Sequence, residues 1–219
     1  MFTGLVEEIG NVIAVNRQGK SLKIKIGCKK AVNGAKVGDS IATNGVCLTA
    51  VEVGSDYFMA DAMPETYERS NLKRLKTGDR VNLEKSITLS TPLGGHLVTG
   101  DVDCEGTIVS KIGNENAIIY EIEMNERFMK YIVEKGRVTI DGASLTVMDF
   151  SDERNSFKVS LIPHTQNHIT LGGKGSGDIV NIETDIVGKY IERFTKKEKN
   201  AEPVKKGIDM KFLADNGFM

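Results

Sequence analysis

The feature that most constrains the fold of this 219-residue chain is an internal repeat. Two segments, VGDSIATNGVCLTAV and EKGRVTIDGASLTVM, share a Gly, an apolar strand, an Asn-Gly or Asp-Gly pair and a Leu-Thr pair. Further matches occur in the same order, at offsets that grow from 96 to 99 residues along the chain. Loop insertions between two copies of one domain produce such an offset. We therefore expect two tandem domains, residues 1–90 and 95–187, and a C-terminal segment, residues 188–219, without a counterpart.

Each copy has the sequence pattern of an antiparallel β-domain. Segments such as KSLKIKIG (Lys20–Gly27), SLTVMDF and SFKVSLI alternate apolar and polar residues with a period of two. Asn44-Gly45 and Asp141-Gly142 are strong signals of tight hairpin turns, because these residue types accept positive φ. About six short strands per copy predict a mainly β fold of two similar six-stranded Greek-key β-barrels, followed by a C-terminal α-helix.

Two segments have helical periodicity instead. NERFMKYIVEKG predicts a helix that ends at Gly136. Its apolar face consists of Phe128, Met129, Ile132 and Val133. TDIVGKYIERFTKKEKN predicts the terminal helix, whose apolar stripe consists of Ile186, Val187, Tyr190, Ile191 and Phe194. Such a stripe needs a partner surface, and either its own domain or another subunit could supply it.

Composition limits the classes of partner. A net charge of −1, 6% aromatic residues and no Trp argue against a basic, aromatic-lined groove for nucleic acid. No apolar run is long enough to span a bilayer, and MFTGLVEEIG lacks the features of a secretion signal. Three cysteines without metal-ligand spacing predict reduced thiols in a cytoplasmic protein, and no metal site.

Seven segments, in order, resemble the riboflavin synthase α-chain family. They are MFTGLVEEIG, NGVCLTAV, MPET, GGHLVTGDVDCEG, IDGASLTVM, LIPHT and VNIETDIVGKYIERF. Each is weak alone, but their order, spacing and duplication cover almost the whole chain. The resemblance implies a homotrimer held by C-terminal helices, with each site between the N-terminal barrel of one subunit and the C-terminal barrel of a neighbour. It implies no cofactor, and a lumazine synthase shell is a further candidate partner.

The activity that the resemblance implies is a dismutation. One 6,7-dimethyl-8-ribityllumazine donates a four-carbon unit to a second, giving riboflavin and 5-amino-6-ribitylaminouracil. Two identical substrates held face to face suit two similar pockets, and a duplicated barrel supplies them. The chemistry is not symmetric, however, because one lumazine loses a proton from its C7 methyl group and attacks the other. The two pockets must therefore differ, and Cys47 in the first copy aligns with Ser144 in the second.

The resemblance implies five catalytic candidates: Cys47, His96, Asp101, Ser144 and Asp185. A thiol at Cys47 could add to a ring, activate water or pass a proton, although a buried Cys often only fills space. His96 could move the methyl proton near neutral pH, or be a linker residue. Asp185 could act in the site or cap the terminal helix. Asp101 replaces a family His, and an Asp is a weak base at neutral pH unless burial raises its pKa.

A lumazine presents amide-like edges and a hydroxylated ribityl chain, which suit backbone groups and Ser or Thr side chains. The residues implied as substrate-binding are Phe2, Thr3, Gly4, Ser40, Thr49, Ala60, Ala62, Thr66, Gly95, Val102, Lys135, Thr146, Ile162 and Thr165. Phe2 and Thr3 could also close the first barrel, and Lys135 could be a helix C-terminal cation. His164 and His168 have weaker claims, since His164 aligns with Glu65.

The main alternative function is a non-catalytic binder, because lumazine-binding fluorescent proteins share the duplicated fold. Cys47, His96 and the complete second copy favour the enzyme, whereas Asp101 favours the binder.

Overall fold

A computed structural model describes residues 1–18, 21–199 and 210–218. The strands of the first barrel are β1 (Glu8–Gln18), β2 (Ser21–Gly27), β3 (Ser40–Thr43), β4 (Val46–Val53), β5 (Tyr57–Ala62) and β6 (Arg80–Lys85). Those of the second are β7 (Cys104–Asn114), β8 (Ala117–Met124), β9 (Arg137–Ile140), β10 (Ala143–Ser151), β11 (Ser156–Leu161) and β12 (Ile179–Thr184). The helices are α1 (Pro64–Arg69), α2 (Glu126–Met129), α3 (Pro163–His168), α4 (Ile186–Lys199) and α5 (Met210–Asp215).

Both sets of six strands close into antiparallel barrels. The first runs β1-β2-β5-β4-β3-β6, and the second repeats that order as β7-β8-β11-β10-β9-β12. The predicted mainly β fold with two similar barrels is therefore confirmed. Lys20, at the start of the predicted segment KSLKIKIG, lies outside the described residues. The chain divides into two compact units, Met1–Ile186 and Val187–Met219, and both barrels belong to the first.

The two predicted hairpin turns have the expected geometry. The φ angles are 46° and 77° at Asn44 and Gly45, and 45° and 81° at Asp141 and Gly142. Positive φ at both central residues matches the twist of the flanking strands, which explains the preference for Asn-Gly and Asp-Gly here. The turns also touch each other, because a Cβ atom on Gly45 would lie 2.7 Å from the backbone nitrogen of Gly142. The barrels therefore meet at these two turns.

A buried polar network joins the barrels around this contact. Asn82 Nδ2 donates to the carbonyl of Asp141 at 2.8 Å, and the equivalent Asn181 Nδ2 donates to the carbonyl of Asn44 at 2.8 Å. The pattern has approximate two-fold symmetry, but the charges in the two copies differ. Asp141, whose side chain is fully buried, forms a 2.6 Å ion pair with Lys174, whereas its counterpart Asn44 is neutral. The second copy thus carries a buried charge pair in place of neutral residues.

Each barrel has its own apolar core. Phe58 and Phe157, at equivalent positions of β5 and β11, are both fully buried. Burying such a side chain stabilises the fold by about 1.5–3 kcal/mol. A third, small cluster lies between the barrels, where Phe2 forms a β-bridge with Val98 and packs on Ala42.

The predicted helix that ends at Gly136 is wrong in length. The helix α2 stops at Met129, and the chain continues in successive turns. Met129 and Ile132 are buried in the second core, but Val133 is 60% exposed, so the predicted face is not continuous. Lys135, rather than Gly136, adopts a positive φ of 62° and so cannot continue a helix. The β-branched residues Ile132 and Val133 also have low helix propensity, so they do little to extend α2.

The terminal helix is confirmed as α4, and its apolar stripe is exposed within its own unit. Tyr190 is 59%, Ile191 58% and Phe194 63% exposed. Tyr190 and Phe194 lie one turn apart, with ring centroids 6.2 Å apart. Among the helices of the described ranges, none is both long and apolar enough to cross a membrane.

Candidate functional site

Two equivalent hairpins carry Cys47 and Ser144. Alternation along β4 turns Val46 and Leu48 into the core and leaves Cys47 on the outer face, where it lies opposite Ala42 of β3. In the second barrel, Ser144 of β10 takes the same outward position, opposite Thr139 of β9. The two copies therefore present a thiol and a hydroxyl at matching places on their surfaces.

A cavity of about 300 Å³ opens beside Cys47, and we call it the first half-site. Its walls come from β4, from α1 and from the segment that leads into β7. The lining residues are Val46, Cys47, Glu65, Thr66, Arg69, Gly100, Asp101 and Val102. Four residues that the sequence predicted for the site are thus brought together here: Cys47, Thr66, Asp101 and Val102.

Cys47 also contacts a cluster of apolar side chains. Its side chain packs against the cluster of Phe2, Ala42 and Val98, and Phe2 is fully buried. Phe2 therefore lies between the barrels beside the first half-site, and does not close the interior of the first barrel. The Cys47 amide donates to the carbonyl of Gly100 at 2.9 Å, which fixes the backbone behind the thiol.

Three polar side chains form the second half-site: His96, Ser144 and Thr139. His96 Nδ1 lies 2.7 Å from Ser144 Oγ, and Nε2 lies 3.3 Å from Thr139 Oγ1. Thr139 is 1% and His96 8% exposed. A neutral imidazole offers one donor and one acceptor, and each hydroxyl can serve in either role, so the three groups satisfy one another. The contact also holds Ser144 against a base.

Burial lowers the pKa of His96 below its ordinary value. The negative charge of Asp185 acts in the opposite direction, and the positive charge of Arg137 adds to the lowering. His96 is therefore a neutral imidazole at neutral pH, able to accept a proton. Position 95 needs a glycine for the backbone before His96 to pass so close to the first residues of the chain, because a Cβ atom there would lie 2.0 Å from the carbonyl oxygen of Thr3. His96, Gly95 and Asp185 thus belong to one neighbourhood.

The two half-sites differ in a consistent way. Ala42 of the first corresponds to Thr139 of the second, so the thiol lies among apolar groups and the serine lies in a hydrogen-bonded chain. Thr139 and Ala42 were not identified from the sequence. A column-by-column comparison of the two copies, GDSIATNGVCLT against KGRVTIDGASLT, contains the signal, because the Ala-to-Thr change accompanies the Cys-to-Ser change.

Thr3 and Gly4 are buried beside Ser144 rather than beside Cys47. The carbonyl of Gly4 accepts a 2.8 Å hydrogen bond from the Ser144 amide. The carbonyl of Thr3 accepts a 3.1 Å hydrogen bond from the His96 amide. The first residues of the chain therefore build the second half-site, which the sequence alone did not indicate.

Four predicted substrate contacts do not line the first half-site: Ser40, Thr49, Thr146 and Thr165. Ser40 and Thr49 face each other across β3 and β4, and Ser40 lines a second, larger cavity of about 610 Å³. We assign the site to the smaller cavity because it contains the thiol. Thr146 is exposed two residues beyond Ser144, and Thr165 lies on α3.

Lys135 and Ile162 are both exposed, and neither lines a cavity described above. Since α2 ends at Met129, Lys135 is not a helix C-terminal cation, and that alternative is wrong.

Ala60 and Ala62 do not line a pocket with their side chains. Both alternate with outward residues on β5 and are buried in the first core, 0% and 2% exposed. Only their backbone groups remain available to a ligand.

Cys28 and the remaining histidines lie apart from this chemistry. Burial raises the pKa of Cys28 to about 12, which makes it a poor nucleophile. His164 and His168 are exposed on α3 and stack with ring centroids 4.2 Å apart.

Comparisons with known proteins match this architecture. A family model of the lumazine binding domain matches twice, over residues 3–86 and 99–185. Riboflavin synthase of Actinobacillus pleuropneumoniae is 44% identical over 218 residues, covering all of both chains. That of Bacillus amyloliquefaciens is 39% identical with the same coverage. The chain belongs to the riboflavin synthase family. This membership confirms the resemblance seen in the sequence motifs.

A third riboflavin synthase, from Mycobacterium tuberculosis, is 47% identical over 195 residues, covering 88% of this chain and 97% of that protein. Crystal structures of LumP share the fold at lower similarity. LumP complexed with riboflavin has a TM-score of 0.78 and 22% identity, covering 84% of this chain and all of LumP. LumP complexed with 6,7-dimethyl-8-(1'-D-ribityl) lumazine has a TM-score of 0.75.

Proposed function

We propose that this member of the riboflavin synthase family is a riboflavin synthase, a transferase that acts on two molecules of 6,7-dimethyl-8-ribityllumazine. One molecule gives a four-carbon unit to the other, and the products are riboflavin and 5-amino-6-ribitylaminouracil. Every atom of the two substrates is recovered in the two products, so the overall reaction balances without a co-substrate. The observation that carries the proposal is a chain with two equivalent but chemically different half-sites.

The second half-site suits the removal of a proton from the C7 methyl group. His96 is a neutral base, and Ser144 at 2.7 Å can pass a proton to it. The methyl proton would move to His96, directly or through Ser144, and leave a carbon nucleophile on that lumazine. Asp185, whose charge raises the pKa of His96, would stabilise the imidazolium that forms.

The first half-site suits the lumazine that is attacked. Cys47 lies at the wall of an open cavity, where Val102 offers an apolar side chain to the flat ring and Thr66 and Arg69 offer polar groups to its edges. A thiol carries a proton or adds to a ring more readily than a hydroxyl does. We assign Cys47 to proton transfer to or from the attacked lumazine. Thr66 and Val102, on opposite walls of the same cavity, are proposed to orient the substrate.

One assay tests the proposed function. The purified protein is mixed with 6,7-dimethyl-8-ribityllumazine under anaerobic conditions without added cofactors. We expect one riboflavin for every two lumazines consumed. A stable fluorescent complex of unchanged lumazine would identify the protein as a binder instead, and would overturn the proposal.

Asp101 is the position where the chain departs from the family pattern of His. It is exposed at the rim of the first half-site, where an imidazole can replace the carboxylate without disturbing the barrel core. We expect Asp101→His to leave kcat unchanged or raise it. The measurement is kcat and KM for lumazine, with circular dichroism to verify folding. A large loss of kcat in a folded Asp101→His variant would assign Asp101 a role of its own.

We also propose a homotrimer in which α4 is the association element. The supporting observation is its apolar stripe, with Ile191 and Phe194 each more than half exposed. Such exposed apolar area on a terminal helix is suited to burial against other copies. We expect the double variant Ile191→Glu and Phe194→Glu to sediment as a monomer. Lys189→Glu, outside the stripe, serves as the control and should remain trimeric. A monomeric wild-type protein would contradict the proposal.

Two further proposals concern the cell. Cys28, Cys47 and Cys104 lie outside any disulfide bond among the described residues, which suits a reducing compartment such as the cytoplasm. A lumazine synthase shell is proposed as a physical partner, and co-sedimentation of the two purified proteins tests this.

A further inference from the structure

The wall of each half-site comes in part from the opposite barrel. The first leading segment, Thr3-Gly4, precedes β1 and covers Ser144 of the second barrel, whose amide donates to its glycine carbonyl at 2.8 Å. The second leading segment, Thr99-Gly100, precedes β7 and covers Cys47 of the first barrel through the equivalent 2.9 Å hydrogen bond. The two segments therefore cross between the barrels.

A buried glutamate of its own barrel holds each leading segment. Glu84 of β6 accepts hydrogen bonds from the first leading segment at 2.6, 2.6 and 3.0 Å, from the Thr3 amide and hydroxyl and the Gly4 amide. Glu183 of β12 holds the second leading segment through the same three groups, at 2.7, 2.8 and 3.0 Å. Glu84 is 5% and Glu183 3% exposed. The two carboxylates occupy equivalent positions in the repeat.

The glycine of each leading segment lies in direct contact with the opposite barrel. A Cβ atom on Gly100 would lie 2.6 Å from Cys47 Cβ, and one on Gly4 would lie 2.5 Å from Ser144 Cβ. Both glycines also have positive φ, 85° and 75°. The backbone thus touches the reactive residue of the other barrel, and any shift of a leading segment changes the surroundings of that residue.

We propose that Glu84 and Glu183 are positioning residues that act across the barrels. Glu183 of the second barrel sets the geometry of the first half-site, and Glu84 of the first barrel sets that of the second. Because Thr3 also accepts from the His96 amide, Glu84 fixes the base as well as Ser144. Their relevance to catalysis rests on the proposed function, but the crossed control of geometry does not.

The carboxylate is the only common acceptor that can take three hydrogen bonds from one leading segment without offering a donor. In Glu183→Gln or Glu84→Gln, an amide NH₂ group faces N–H donors and at least one of them loses its partner. The leading segment should therefore move, although the barrel core beneath it is unchanged.

Two readouts that need no turnover test the proposal. The alkylation rate of Cys47 by iodoacetamide is followed by peptide mass spectrometry. The protonation of His96 is followed by NMR titration. We expect Glu183→Gln to change the Cys47 rate about fivefold and to leave His96 unaffected. We expect Glu84→Gln to move the His96 pKa by about half a unit and to leave the Cys47 rate unaffected.

Matched controls are available in both barrels. Glu8 accepts hydrogen bonds from the amides of Lys29, Lys30 and Ala31 at 2.6–3.1 Å, away from both half-sites. Glu121 of β8 accepts from Ser156 at 2.9 Å. Glu8→Gln and Glu121→Gln should move neither readout. The crossed assignment is wrong if Glu84→Gln and Glu183→Gln each alter only the half-site on the same barrel as the substitution. It is also wrong if both variants alter both readouts equally.

Thr99→Val and Thr3→Val provide milder variants in case a Gln variant does not fold. Each removes only the hydroxyl donor and should produce the same crossed pattern, more weakly. A crossed pattern in a protein that does not make riboflavin would refute the proposed function and leave the positioning role standing. Riboflavin formation without the crossed pattern would support the proposed function and refute the positioning role.

Discussion

Lys174→Met should lower the free energy of unfolding by about 3 kcal/mol, the lower end of the cost of removing one partner of a buried ion pair. Lys174 Nζ donates to Asp141 Oδ2 at 2.6 Å and to the carbonyl of Ile179 at 2.7 Å. The Asp141 side chain is 0% and that of Lys174 22% exposed, so the variant leaves a carboxylate without its cation at the barrel interface. Urea denaturation followed by circular dichroism measures the change.

The first repeat supplies the rescue variant. At the positions equivalent to Asp141 and Lys174 it has Asn44 and Leu75, both buried. Asp141→Asn combined with Lys174→Leu copies that neutral pair, and we expect it to recover stability to within about 1 kcal/mol of the wild type. An Asn at position 141 can still accept the 2.8 Å hydrogen bond that the backbone amide of Asn181 donates.

An exposed ion pair is the matched control for this experiment. Lys158 lies 3.3 Å from Asp149, with side chains 30% and 57% exposed. Lys158→Met should cost less than about 1 kcal/mol, because water screens such a pair. If Lys174→Met is as stable as the wild type, the buried pair has no stabilising role, and if the double variant is no better than Lys174→Met, the two repeats are not interchangeable here.

The barrels could be predicted because their determinants are local and occur twice. Asn44-Gly45 and Asp141-Gly142 require positive φ wherever they stand in a hairpin, and period-two alternation fixes which strand face is buried. The helix predicted after Asn125 is wrong in length for the opposite reason. Its helical spacing is real, but tertiary packing draws Met129 and Ile132 into the core through successive turns, and propensity cannot oppose that.

The candidate site was only partly predictable, for a physical reason. Residue types and the resemblance identified Cys47, His96 and Ser144, but not which of them share a pocket. That depends on the leading segments crossing between barrels, a non-local arrangement to which no hydrophobic period responds. For the same reason Glu84 and Glu183 were missed, since a buried carboxylate that binds backbone amides has no distinctive sequence pattern. Strand alternation buries the side chains of Ala60 and Ala62, so only their backbone groups can meet a ligand.

His96→Gln should reduce kcat for riboflavin formation by about 10²–10³-fold, the usual contribution of a general base, with little change in substrate affinity. Glutamine keeps a donor and an acceptor near Ser144 and Thr139, but it cannot take up a proton. The measurement is single-turnover kinetics with lumazine, together with a binding titration. The exposed His168→Gln is the control, and it should behave as the wild type.

The pH profile gives the same prediction an independent check. Burial lowers the pKa of His96, so the base stays neutral throughout the neutral range and the acid limb of kcat should lie below about pH 6.5. Since the unfolded chain takes up this proton more readily than the folded one, stability should also fall as the pH drops below that ordinary value. Both effects should disappear in His96→Gln. An acid limb that persists in the variant would mean that another group removes the methyl proton, because no titration of His96 would remain to produce it.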